Sequence, residues 1–140
     1  MYQHLELIKR GAIAELWLNR PDRLNALSVA LLMEIRAAAT EIDLDPEVRV
    51  LLVRGRGRAF SAGADLAGFP SLDDAGLREA ADAGRQMADA LENMSAIAIA
   101  GIHGWCVGGG LVVAAACDLR VAADSARFSI PEIDLGGTTT

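Results

Sequence analysis

Apolar and polar residues alternate at the start of the chain: in HLELIKR, residues 4–10, Leu5 and Leu7 alternate with His4 and Glu6, and AIAELWLN, residues 12–19, follows directly after Gly11. A period of two marks a strand with one buried face, and a glycine between two such runs marks a turn, so the opening predicts a β-hairpin. The period then changes. After the turn-rich RPDRLNALS, residues 20–28, Leu31, Leu32, Ile35, Ala39 and Ile42 recur at helical spacing, with Ser28 placed as the N-cap and Pro46 marking the limit. VRVLLVRG, residues 48–55, is a short apolar run of strand length.

A glycine-rich loop, residues 55–70, leads to a second helical pattern. SLDD, residues 71–74, resembles a capping box with Ser71 at the N-cap and Asp74 three residues on, and Leu77, Ala80, Gly84, Met87, Leu91 and Met94 follow at spacings of three and four. That face is expected to serve packing and not a site. The alternation continues with a strand over residues 96–104, a helix over 109–118 and a strand over 119–124. Strands apolar on both faces, alternating with helices, predict an α/β domain with mainly parallel pairing in its middle. No linker or low-complexity segment divides the 140 residues, which read as one domain.

Composition narrows the function classes. A hydrophobic content of 52% excludes a disordered tail, and the longest apolar stretches are broken before the length of about 18 residues that a membrane span needs. The start has no basic segment followed by an apolar core, so the sequence points to a cytoplasmic protein. A net charge of −6 argues against nucleic acid. The dense basic positions, Arg20, Arg23, Arg54, Arg56 and Arg58, still suit a small phosphorylated ligand. Cys106 and Cys117, with His4 and His103, make neither a disulfide framework nor a zinc pattern, so buried reduced thiols and no metal are expected.

GIHGWCVGGGLVVAAACD, residues 101–118, poses the chemical question, because three glycines separate a strand-like run from an alanine-rich helix. The dinucleotide fingerprint fails at Val113, where its third glycine belongs; a P-loop fails because Leu111 and Val112 follow Gly110; no GxSxG is present. Two readings stay open: tight packing of the helix on a sheet, or an anion site made of unpaired N–H groups at the helix start. AFSAGADL, residues 59–66, offers a second glycine-containing turn directly after a strand. Two N–H donors on separate loops are what an enolate or tetrahedral oxyanion needs.

NRPDRLNALS, GRAFSAGADL, GIHGWCVGGG and CDLRVAADSARFSIPEIDLG together resemble the crotonase superfamily, the enoyl-CoA hydratase and isomerase group, from about Leu5 to Gly136. The resemblance implies a spiral of strand–strand–helix turns, residues 1–140 forming its N-terminal core, that binds an acyl-CoA thioester with the carbonyl between two backbone N–H groups. These donors carry over to Ala64 and Gly109, with Gly108 and Gly110 leaving room for the oxygen. The LNAL and SAGADL loops shape the CoA groove, which places Arg23, Leu24, Ala26, Ala62, Asp65 and Leu66 near the ligand. A solvated charge is the other reading of Arg23. CoA enters as part of the substrate, and neither metal nor redox cofactor is implied. The family's role suggests fatty-acid or related acyl-CoA metabolism, and its members are homo-oligomers, trimers or hexamers.

Carboxylates choose among the reactions. Hydratases of this family use two glutamates, one placed two residues after the glycine triplet and one in the PE pair. Here the first position is Val112 and the second is Glu132. Hydration by two glutamates is therefore disfavoured, and a single carboxylate, Glu132, suits an isomerase that shuttles one proton. The apolar flanks Ile130, Pro131 and Ile133 suit a base held partly out of water. Asp65 is expected to hold its own loop, Asp118 to pair with Arg120, His103 to be a satisfied buried histidine, and Trp105 and Cys106 to pack against the acyl channel or the core. The family continues past PEIDLG into C-terminal helices that complete the pocket and the trimer, and this sequence reads as a shortened homologue or a fragment that leaves an apolar surface exposed. An acyl-CoA enzyme, a non-catalytic acyl-CoA binder and a degraded homologue are the readings it leaves.

Overall fold

The computed structural model describes residues 1–69 and 71–131; Glu132 and the rest of PEIDLG after Pro131 lie outside them. β1 (Leu5–Arg10) and β2 (Ile13–Leu18) form the expected antiparallel hairpin around Gly11, whose φ of 63° is a turn conformation that glycine adopts without a Cβ penalty. β3 (Val50–Gly55), β4 (Ile97–Ile102) and β6 (Leu119–Ala122) then add in parallel, giving one sheet of order β1-β2-β3-β4-β6. Parallel neighbours need long crossovers, and α1 (Val29–Asp43), α2 (Asp74–Glu92) and α3 (Gly109–Ala116) supply them.

The run before the glycine triplet is not one strand. β4 ends at Ile102, the chain turns at Gly104 with φ 61°, and β5 (Trp105–Val107) enters a second sheet beside β7 (Arg127–Ser129), with Ser61 bridging to Cys106 on its other side. Strands of three residues are too short to show a period, which is why the sequence hid this sheet. Each turn thus sends one strand to the large sheet, a short extended segment to the small sheet, and then a helix back: β3–Ser61–α2, β4–β5–α3, β6–β7. This is the spiral that the resemblance implied.

Ser28 caps α1 as expected, its hydroxyl accepting the Leu31 N–H at 3.1 Å. The cap of α2 is Asp73 and not Ser71: the Asp73 carboxylate accepts the Gly76 N–H at 2.9 Å, and Ser71 donates to that carboxylate. Only the residue directly before the helix can reach the orphan N–H groups of the first turn, and Asp74 is already helical. The Asp118–Arg120 pair is also replaced. Asp118 accepts the Ala98 N–H at 2.8 Å, whereas Arg120 donates to the Ala114 and Cys117 carbonyls at the end of α3, where a cation completes unpaired C=O groups.

One face of the large sheet (Ala14, Leu16, Leu18, Leu51, Val53, Ala98, Ala100) packs with the buried side of α1 and with Met87 and Leu91 of α2 in one core. Cys106 and Cys117 are buried there as free thiols. The opposite face is open, with Ile13, Ile97, Leu119 and Val121 each 46–65% exposed. On that face the Trp17 ring lies between the Arg54 and Arg56 guanidinium groups, at 4.3 and 3.9 Å, and the two arginines also pair with Glu15 and Glu6. Arg54 and Arg56 thus engage Trp17 and these two glutamates at the sheet surface. No helix among the described residues is long and apolar enough to cross a membrane.

Candidate functional site

Asn25 organises the region where the loops meet. It is fully buried, adopts φ 55°, and its amide accepts the Arg20 N–H at 2.8 Å while donating to the Arg56 and Ala59 carbonyls at 2.9 Å. Asparagine tolerates this left-handed conformation better than most residues, so one side chain holds both the turn at residues 20–25 and the loop after β3. Ser61, also fully buried, donates to the Asn25 carbonyl at 2.8 Å and accepts the Gly63 N–H at 3.2 Å. Main-chain bonds continue the seam: Ala62 N–H to Leu24 C=O, Leu27 N–H to Gly63 C=O and Asp65 N–H to Leu27 C=O.

This seam leaves one edge of the SAGAD segment turned away from residue 27. Among the described residues, neither the Ala64 N–H nor the Gly109 N–H has a hydrogen-bond acceptor. The two segments lie side by side, since the Gly109 nitrogen is 3.7 Å from where a Cβ on Gly63 would stand. Gly63, at φ 95°, has to be glycine because that Cβ would also press on the Val107 carbonyl at 2.8 Å. The triplet divides its roles. Gly108 takes a positive φ of 52° as the N-cap of α3, and Gly110 packs on the Ser61 carbonyl, which a Cβ would approach to 2.8 Å, so backbone conformation accounts for the first and helix packing for the third. Gly109 begins the helix, where unpaired N–H groups carry the positive end of its dipole.

Ala64 and Gly109 line one mostly apolar cavity of about 320 Å³, together with Val112, Leu27, Leu32 and Met87. Leu77, Ala80 and Gly84 line it too, which corrects the expectation that this face of α2 serves packing alone. The remaining expected residues surround the cavity at a distance. Asp65 pairs with Arg20 at 2.8 Å, the two side chains only 11% and 16% exposed, and a second Arg20 nitrogen donates to the Ala26 carbonyl at 2.6 Å. The aspartate thus holds its loop, as expected, through an ion pair with Arg20. Arg23 and Leu66 are exposed, Leu24 holds the turn at φ 51°, and Ala62 is partly buried. Trp105 does not join the cavity. It is 48% exposed and lines a separate hollow with Leu24, Arg58 and Arg127, because Cys106 takes the inward position of β5 and alternation turns Trp105 outward. His103 is only partly buried and its ring bonds the Gly57 carbonyl at 2.7 Å. No group of three or more metal-ligating side chains occurs among the described residues.

Sequence reasoning passed over Asn25, Ser61 and the α2 wall of the cavity. The asparagine inside an otherwise apolar turn was the available signal for the first; the other two depend on partners distant in the chain. The geometry combines free amide donors with a hydrocarbon-lined space, which suits a ligand with a polar oxygen at the end of an apolar group.

A sequence profile described as enoyl-CoA hydratase/isomerase matches residues 9–140. The chain is 38% identical to the crotonyl-CoA hydratase of Syntrophomonas wolfei, over 98% of its own length and 53% of that protein. It is 35% identical to the peroxisomal Delta(3,5)-Delta(2,4)-dienoyl-CoA isomerase of Arabidopsis thaliana, over 96% of its length and 54% of the relative. The crystal structure of an enoyl-CoA hydratase/carnithine racemase from Magnetospirillum magneticum superposes with a TM-score of 0.93 at 34% identity, covering 100% of this chain and 54% of that one. The chain spans about half the length of the curated relatives it matches. With the profile spanning nearly the whole sequence and the same spiral in the solved relatives, this chain belongs to the enoyl-CoA hydratase/isomerase family.

Proposed function

We propose that the chain binds an acyl-CoA thioester in the cavity between α2 and α3 and stabilises its enolate with the Ala64 and Gly109 N–H groups, as an isomerase that moves one proton. The observation that carries this reading is the pair of amides, on separate segments lining one apolar cavity, that have no acceptor among the described residues. Donors already in place at an oxygen that gains charge are worth roughly 3 kcal/mol each in barrier lowering. Glu132 takes a proton from C2 of a 3-enoyl thioester, giving the dienolate, and returns it at C4; the double bond moves to the 2 position and the carboxylate is regenerated. Val112, which stands at the sequence position of the first hydratase glutamate, lines the cavity and cannot activate water. The same valine favours a second reading, in which the chain binds acyl-CoA without turnover.

Conversion of a 3-enoyl-CoA to the conjugated 2-enoyl isomer, followed by thioester ultraviolet absorbance beside Glu132→Gln, tests the reading. Activity in the chain and none in the variant is expected. Equal activity in both removes Glu132 from the mechanism. Ligand-induced stabilisation without turnover moves the conclusion to a binding protein.

A further inference from the structure

Gly84 occupies the middle of α2, where glycine is less favourable than any other residue except proline. Neither backbone nor packing requires it. Its φ is not positive, and a Cβ added to it would meet no atom within 4 Å, in contrast to Gly76 on the same helix, whose Cβ would collide with the Ser71 main chain. The space it leaves open is the candidate cavity, which Gly84 lines between Ala80 and Ala88, one turn to either side, with Gly109 and Val112 also on the wall.

We propose, resting on the acyl-CoA reading above, that Gly84 determines the length of the apolar acyl chain the site accepts. The lining side chains are apolar apart from Arg85, which pairs with Asp82 at the surface. A helix that accepts glycine at this position gives up stability and keeps volume for a ligand.

Gly84→Ala and Gly84→Leu are compared with the unmodified chain on 3-hexenoyl-CoA and 3-dodecenoyl-CoA, by turnover and by the rise in melting temperature that each thioester produces. The ratio of dodecenoyl to hexenoyl response is expected to fall by at least about tenfold in the leucine variant, with alanine between. Without ligand, the alanine variant is expected to melt roughly 3 °C higher, because the fold does not need the glycine. An unchanged length profile, or equal loss on both thioesters, overturns the role of Gly84 and leaves the acyl-CoA reading standing. Absence of any response of the unmodified chain to either thioester overturns that reading and this inference with it.

Discussion

Replacing Asn25 with alanine removes three hydrogen bonds at a position with no access to water. The Arg20 N–H and the Arg56 and Ala59 carbonyls lose their partner together, and the alanine must still take φ 55°. At about 1 kcal/mol net for each bond and about 1 kcal/mol for a left-handed alanine, the loss is about 4 kcal/mol. Against a total stability of roughly 5–15 kcal/mol this threatens the fold. Equilibrium urea unfolding followed by circular dichroism reads it directly. With a slope of about 2 kcal/mol/M, the midpoint falls by about 2 M. Asn25→Gly separates the two contributions, since glycine accepts the conformation but makes no bonds; it is expected to recover about 1 kcal/mol of the loss. Asn25→Asp keeps the acceptor for Arg20 but turns a carboxylate oxygen toward two carbonyls, and is expected to be no more stable than alanine. A loss below about 1 kcal/mol for Asn25→Ala would refute the view that this side chain holds the loops together.

The Arg20–Asp65 pair, largely shielded from water, should show a coupling of about 2 kcal/mol in a double-mutant cycle with alanine at each position, and additive losses would show that the pair is incidental. Burial pushes the Cys106 thiol up to about 11 and the Cys117 thiol up to about 12, from an ordinary value of 9.0. The native thiols then hold protons that the unfolded chain releases, so their contribution to stability is complete below pH 9 and is lost as pH rises from 9 toward 12. Unfolding free energies measured at pH 8 and pH 10.5 should fall less steeply in a Cys106→Ala, Cys117→Ala double variant. Tyr2, also pushed up to about 12 by burial and by Glu41, keeps part of the decline in place. An equal decline in both proteins would rule out the thiols as its source.

Local pattern was sufficient for the elements whose periods run long enough to be read. The hairpin around Gly11, α1 with its Ser28 cap, and the parallel strands of the large sheet all follow from alternation, helical spacing and a capping residue next to its helix. The resemblance carried by four short motifs extended this to the strand–strand–helix spiral and singled out Ala64, Gly109 and Val112, which line one cavity. Spatial neighbours that are remote in sequence were decided only by the tertiary structure. It split the run before the glycine triplet between two sheets, turned Trp105 outward, set Arg54 and Arg56 against Trp17, and brought Gly84 to the cavity beside Gly109. Asn25 shows the limit most clearly. Its bonds to Arg56 and Ala59 span more than thirty residues. A hydrogen bond across such a distance leaves no periodicity in the chain, because its partners meet only after the helices have crossed and the sheet has formed.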